Sequence, residues 1–299
     1  MKRAVSISIG DSSRDKAVEI ELLGQKVQIE RIGTNGDMEK AAQLYRELDG
    51  KVAAFGVGGT DLAVSIDGKE YKLHSVRSMV RYVEKTPIVD GSGLKYTLES
   101  KLASFIDSQI GDFIQPRRAL ITSAMDRWGM AQSFIEAGYV YKFGDLMFAL
   151  GIPVPLRSIA LTKLIAALLL PIVSRLPFEW LYPTGSSQNI RTPKWPQHYA
   201  WAKVIAGDAH FIKRYMPNRM DGKVIVTNTT TQEDVELFRQ TGVSYLVTST
   251  PVLDGRSFGT NMMEAALVAV AGEGKTLTRT RLKELLDQMG FEPQIQKLN

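Results

Sequence analysis

Three corners of the chain hold residues whose types and spacing suit chemistry. In TPIVDGSGLK a short apolar run gives way to Gly91 and Gly93, with Asp90, Ser92 and Lys95 around them. Two glycines permit a tight turn, and the amides that open the following helix can hold an anion. A Lys and Asp pair at such a place, Lys95 with Asp90, could move a proton to or from a hydroxyl, although an exposed lysine on the helix's first turn is an equally simple reading. The second corner lies in RALITSAMDRWGMAQSFIEAGYVYKFGD, residues 118–145, where a strand, a polar loop, a helix and a second strand ending in an acid form a βαβ unit. The third, LDGRSFGTNMMEA, sets Arg256 ahead of Asn261 at a helix start, where a guanidinium, a side-chain amide and helix-end amides could meet one carboxylate or phosphate; Thr260 as a plain helix cap is the alternative.

The elements that position these corners are legible from periodicity. An alternating run near residues 4–9 and two more between 18 and 33 read as strands, and the spacing of Met38, Ala41, Ala42, Tyr45 and Leu48 predicts a helix capped by Asp37. VAAFGVGG is a strand entering a glycine turn, and Asp67 with Gly68 joins a hairpin. A basic helix is expected over about residues 75–84, and an apolar one over 159–174. Beyond residue 200, strands at 203–207, 223–228 and 244–250 alternate with helices through Tyr215, over 233–240 and over 259–271, and a last amphipathic helix covers 280–289. Strands spaced by one helix each mean a parallel sheet with right-handed crossovers. The expected fold is α/β: a Rossmann-like parallel sheet with helices on both faces over residues 116–299, preceded by a smaller α/β N-terminal domain, a candidate substrate lobe, over residues 1–115.

In an open parallel sheet, ligands sit at the carboxyl ends of the strands. The residues just past each strand are therefore the candidate groups: Ser123 and Asp126, Asp145, Asp208 with His210, Asn228 with its flanking threonines, and Thr248 to Thr250. For any one of them the bland alternative is a polar strand end that meets solvent and caps a helix. His210, next to Asp208, is the histidine best placed for acid and base work; His74 and His198 read as structural. The 118–145 unit matches a dinucleotide fingerprint in part. Gly129 near the helix start and Asp145 some twenty residues past the strand fit a site for NAD or NADP, with the acid on a ribose hydroxyl. Ser123 and Met125 stand where that pattern has its first glycines, and Asp126 would repel a diphosphate.

Composition narrows the classes. There is no cysteine, and the three histidines show no i, i+4 pair, which argues against disulfides, thiolate chemistry and zinc. The net charge of +5 is spread among acids rather than blocked, unlike a nucleic-acid binder, and suits an anionic small molecule. The most apolar stretch, 159–173, carries Lys163 and Pro171 and is too short for a membrane span, and the N-terminus has no signal-like core, so a cytoplasmic protein is expected. The segment 176–201, rich in proline and tryptophan, reads as a lid or a subunit contact, which leaves room for a homo-oligomer or a scaffold role.

Seven stretches spread over most of the chain, FGVGGTDL, TPIVDGSGLKYTLE, KFGDLMFALGIP, RLPFEWLYPTG, VIAGDAHFIKRYMP, VTNTTTQEDVELF and GRSFGTNMMEA, resemble a bacterial family labelled quinate 5-dehydrogenase. The resemblance implies an NAD(P)-dependent oxidoreductase acting on a cyclic hydroxy acid such as quinate or shikimate. It also implies a substrate domain ahead of the nicotinamide domain and a Lys and Asp pair at the hydroxyl, roles that Lys95 and Asp90 would fill. Asp208, Asn228, Arg256 and Asn261 are then expected at the substrate, and Ser123, Asp126, Gly129 and Asp145 at the cofactor. The other reading is a Rossmann-like enzyme or binding protein for a nucleotide sugar or phosphorylated metabolite, without hydride transfer.

Overall fold

The computed structural model describes residues 1–176, 191–250, 252–253, 256–257 and 259–299. The chain opens with β1 (Lys2–Ser8), β2 (Lys16–Leu22) and β3 (Gln25–Gly33), then α1 (Met38–Leu48), whose first turn is capped by Asp37 accepting from the Lys40 amide. β4 (Ala54–Gly58), the hairpin β5 (Ala63–Ile66) and β6 (Lys69–Lys72), the single turn α2 (His74–Arg77) and β7 (Ile88–Val89) come next. The first sheet runs β2-β3-β1-β4-β7, parallel except for the β2 edge. Its central strand shows why. Val5 and Ile7 on β1 point to α1 and pack with Tyr45 and Phe55, while Ala4 on the alternate face meets a second helical layer. The basic helix expected over 75–84 is instead α2 with a single 3-10 turn over Ser78–Val80, where Val76 and Met79 are fully buried and Val80 and Val83 only partly so.

α3 (Ser92–Glu99) and α4 (Leu102–Ile110) lead to the second sheet. Its strands are β8 (Arg118–Ile121), β9 (Val140–Phe143), β10 (Val204–Ala206), β11 (Val224–Thr227) and β12 (Tyr245–Thr248). Between them come α5 (Trp128–Glu136), α6 (Asp145–Leu150), α7 (Ile159–Val173), α8 (Pro196–Trp201), α9 (Ala209–Tyr215) and α10 (Gln232–Gln240). Neighbouring strands are parallel in the order β12-β11-β10-β8-β9, a doubly wound sheet whose order reverses beside β8. Helices cover both faces: Ala119, Ile121, Ala206 and Val226 pack beside Ala131 and Phe134 of α5, and Leu120, Ile205 and Ile225 beside Ile212 and Phe238. The Rossmann-like α/β architecture is as the periodicity predicts.

Past the short strands β13 (Val252–Leu253) and β14 (Arg256–Ser257), the chain departs from a simple second domain. α11 (Thr260–Ala271) does not cover the second sheet, as its place in the alternation predicts, but packs on β1, β3 and β4 of the first. Met262 to Val270 are all buried, so this helix needs cover all round; the first sheet on one side and α3 with α12 (Arg279–Gln288) on the other supply it. The chain then returns to the second sheet as β15 (Gln294–Lys297), antiparallel to β12. Residues 260–288 thus belong to the core of the first sheet although they come after the second in sequence. Among the described residues no helix is long and apolar enough to cross a membrane.

Candidate functional site

The corner between β7 and α3 is built on Gly91. Its φ of +89° turns the strand into the helix, and a Cβ there would stand 2.4 Å from the Asn261 amide nitrogen of α11. Gly91→Ala combines left-handed strain with a backbone clash. It is expected to cost about 3 kcal/mol, read as a shift of the urea midpoint, whereas a loss under about 1 kcal/mol would contradict this packing.

One turn into α3, Lys95 reaches across to the loops after β4 and β8. Its Nζ lies 3.0 Å from Asp61 and 3.1 Å from Asp126, so one ammonium joins carboxylates carried by the two sheets. Burial works against the charge on Lys95, but the two carboxylates more than offset it and its pKa rises, so the lysine stays protonated. Burial pushes the Asp61 carboxyl up to about 8, against the pull of Lys95 and aided by the charges of Asp126 and Asp90. Asp126 opposes its own burial through Lys95 and Arg127 and is held below the usual carboxylate range, although its side chain remains 40% exposed, which softens that effect.

Next to Asp126, Arg127 is buried and pairs with Glu99 of α3 and, at 2.9 Å, with Asp208 after β10. Burial disfavours its charge; Glu99, Asp208 and Asp126 outweigh this and raise its pKa. Glu99 is pushed up by its own burial against Arg127 and Lys95. Asp61, Lys95, Asp126, Arg127, Glu99 and Asp208 therefore form one charged cluster where the order of the second sheet reverses.

The neighbouring strand ends hold unmatched polar atoms. Asp145 Oδ1 accepts from the Met125 amide at 2.8 Å, and burial lifts its carboxyl to about 6 against hydrogen bonds from the amides of Met125 and Ala124. Its Oδ2 has no hydrogen-bond partner among the described residues, and neither do the buried hydroxyls of Thr122, Ser123, Ser249 and Thr250 or Nε2 of His210. Buried polar groups are normally paired, so this edge of the sheet is ready for a polar ligand.

The expected site residues divide. Lys95 pairs with Asp61 and Asp126 and not with Asp90, because both Asp90 oxygens accept from backbone, from the amides of Leu62 and Ser92. Gly129 serves packing: a Cβ would meet the Tyr96 carbonyl at 2.8 Å. Asp145 turns onto the amides of the 124–125 loop, which are the donors a diphosphate would need; with a carboxylate already there and no glycine at 123 or 125, the loop does not fit a dinucleotide. Asp208 caps α9 through the His210 amide while holding Arg127. Burial lowers the His210 pKa. Asn228 accepts from the Thr227 hydroxyl, and Asn261 donates to Ser6 Oγ at 2.6 Å, which fastens α11 to β1 and not to a ligand site. The Arg256 side chain and most of the segment 176–201 lie outside the described residues.

Sequence reasoning missed Asp61, Arg127 and Glu99. Asp61 comes after β4 in GVGGTDL, so the strand-end rule, applied to the first sheet as well as the second, finds it. Glu99 carries no local signal, since its burial comes from α5 packing on α3.

Three buried carboxyls set a pH dependence. Asp61, Glu264 and Asp145 are lifted by burial to about 8, 7 and 6; Glu264 accepts from the Leu94 amide. Each binds its proton more tightly in the folded chain, so stability present below about pH 4 drains away as pH rises through these values. The lowered pKa of Asp126 acts below that window. Urea midpoints are expected to fall from pH 5 to pH 8, and a flat or rising series would contradict the burial of these acids.

An α/β protein of two sheets with a charged cluster at their strand ends is the class this arrangement defines. The chain belongs to the DUF8754 family, a domain of unknown function whose model matches residues 93–298, and the model of a second domain of unknown function, DUF8753, matches residues 3–90. No curated protein matches the chain. Among solved structures it is similar to an NAD-dependent malic enzyme from Thermotoga maritima, at 12% identity and a TM-score of 0.40 over 94% of this chain and 75% of that one. It is also similar to AraP, an arabinose binding protein from Geobacillus stearothermophilus, at 10% identity and a TM-score of 0.41 over 95% and 99%. The malic enzyme of Entamoeba histolytica matches at 11% identity and a TM-score of 0.41 over 98% and 64%.

Proposed function

We propose that the chain binds a small polyhydroxylated molecule at the Lys95 cluster and exchanges a proton with one of its hydroxyls. The observation that carries this is the joining of Asp61 and Asp126, one from each sheet, by a single largely buried ammonium, beside the hydroxyls of Thr122 and Ser123 and the Oδ2 of Asp145, which have no partner among the described residues. Even with a proton on Asp61, the carboxyl groups of Asp126, Asp208, Glu99 and Asp145 outnumber the cations Lys95 and Arg127. That balance disfavours a phosphorylated, multiply charged ligand far more than one with a single carboxylate, whereas hydroxyls donate to carboxylates and accept from Lys95. Asp61, with its carboxyl near 8, holds a proton at neutral pH and can release it slightly above, which suits an acid or base role at a hydroxyl.

A thermal-shift panel of aldoses, aldonates, quinate and shikimate tests the reading. A member present at about a hundred times its dissociation constant is expected to raise Tm by about 5 °C or more. No shift with any member would contradict it.

The second reading is an NAD(P)-dependent oxidoreductase acting on a cyclic hydroxy acid. It is favoured by the same Lys95 and Asp61 pair, in which Asp61, once ionised above about pH 8, could take up the hydroxyl proton while Lys95 holds the oxygen, and it requires the dinucleotide to sit away from the 124–125 amides. Titration with NADH and NADPH to millimolar concentration checks it, since an unchanged nicotinamide fluorescence removes this reading and leaves the first standing.

A further inference from the structure

Within an apolar row that crosses the second sheet, a lysine stands where an apolar residue belongs. Lys142 of β9 is the register partner of Leu120, and the same row continues through Ile205, Ile225 and Leu246. Lys142 is 8% exposed, yet no carboxylate pairs with it among the described residues. Its ammonium lies 3.9 Å from the centre of the Trp201 ring and 3.5 Å from His198 Nδ1. The charges nearest to it are of its own sign: burial first, then Arg157 and Arg118, lower its pKa, and the same burial together with Lys142 and Arg157 lowers that of His198. Arg118 lies over the other reach of the Trp201 ring, at 5.7 Å. A cleft of about 460 Å³ opens here between Val140, Tyr141, Lys142, Arg157 and Trp201, with no acidic residue in its wall.

A buried ammonium ordinarily recruits a carboxylate, because desolvation without a counter-charge costs several kcal/mol. The geometry points to an external counter-ion: the Lys142, Arg157 and Trp201 cleft is a binding site for a phosphoryl group, distinct from the Lys95 cluster. Lys142 supplies a point charge at the floor and Arg157 a two-pronged donor at the mouth, the usual division of labour at a phosphate. Trp201 has its face taken by Lys142 and serves as a wall, so the site selects the phosphoryl group and not an aromatic base. The phosphoryl group has two sources, a free phosphate ester or the headgroup of a lipid. Val140, which lines the cleft and is 62% exposed, gives the acyl side of a lipid source an apolar contact.

Inorganic phosphate titrated at low ionic strength, followed by calorimetry and by 31P line width, tests the site. We expect a dissociation constant of about 1 mM or tighter. Lys142→Met, which completes the apolar row and so keeps the fold, and Arg157→Ala, on the surface, are each expected to weaken it at least about tenfold. A second arm measures co-sedimentation with vesicles of phosphatidylcholine alone and with phosphatidic acid added. Binding of phosphate without the vesicles assigns a soluble ester, and binding that needs phosphatidic acid and is lost in both variants assigns the lipid. The proposal is overturned if neither probe binds, or if binding survives both substitutions. Since no residue is shared with the Lys95 cluster, a failure here leaves the polyol reading untouched, and the reverse holds as well.

Discussion

Arg127→Met is expected to destabilise the folded chain by about 3–5 kcal/mol, with a fall in Tm of roughly 10 °C. The side chain is 4% exposed and answers Glu99 and Asp208, which reach it from α3 and from the loop after β10. Methionine fills much of the volume but leaves the buried Glu99 carboxylate with no cation against it. The cost is therefore that of an uncompensated charge and not of a cavity, and Glu99→Gln in the same background should recover part of it. Denaturant unfolding of the single and double variants measures both numbers. A loss below about 1 kcal/mol, or a double variant that is worse than the single, would contradict a buried pair at the centre of the cluster.

Lys95→Met has the larger effect on function. Without the ammonium, Asp61 and Asp126 face each other across the junction of the two sheets, and both carboxyls titrate higher. The folded chain then takes up protons more readily than the unfolded one, so the variant's stability deficit should be greater at pH 8 than at pH 5. Ligand-induced stabilisation should disappear at both values, since the variant removes the one donor among the described residues that reaches both carboxylates. Equal deficits at the two pH values, measured as urea midpoints, would contradict the shared proton balance of this group.

Much of the architecture is legible in the sequence because the strands of the second sheet are bounded by glycine or polar residues, and β8 and β9, β10 and β11, and β11 and β12 are each joined through one helix. The same regularity misplaces α11. Its position after β12 predicts a crossover helix, but Met262 to Val270 are buried on every side, and the first sheet together with α3 and α12 covers them. Nothing local encodes which sheet a helix buried all round will choose; Gly56 and Gly91, where the backbone of α11 comes too close for a Cβ, record the choice from the other side.

The site was legible in its lysine and not in its partner. Lys95 and Asp90 share a corner in sequence, but Asp90 is needed to hold the turn, accepting from the Leu62 and Ser92 amides. The acids that reach Lys95 come from residues 61 and 126, more than thirty positions away on either side, brought in by the meeting of two sheets. Asp145, read as a ribose acid, is likewise used by its own loop. Short-range patterns identify which strand ends are polar; they do not say which of those groups the backbone will consume.

The central claim is that the Lys95 cluster is where a small polyhydroxylated molecule binds. Its most direct test is the thermal-shift panel of aldoses, aldonates, quinate and shikimate run on the native chain, Lys95→Met and Asp126→Asn in parallel. The account predicts that at least one member stabilises the native chain and neither variant. A panel that stabilises nothing, or a shift that persists in both variants, would contradict it.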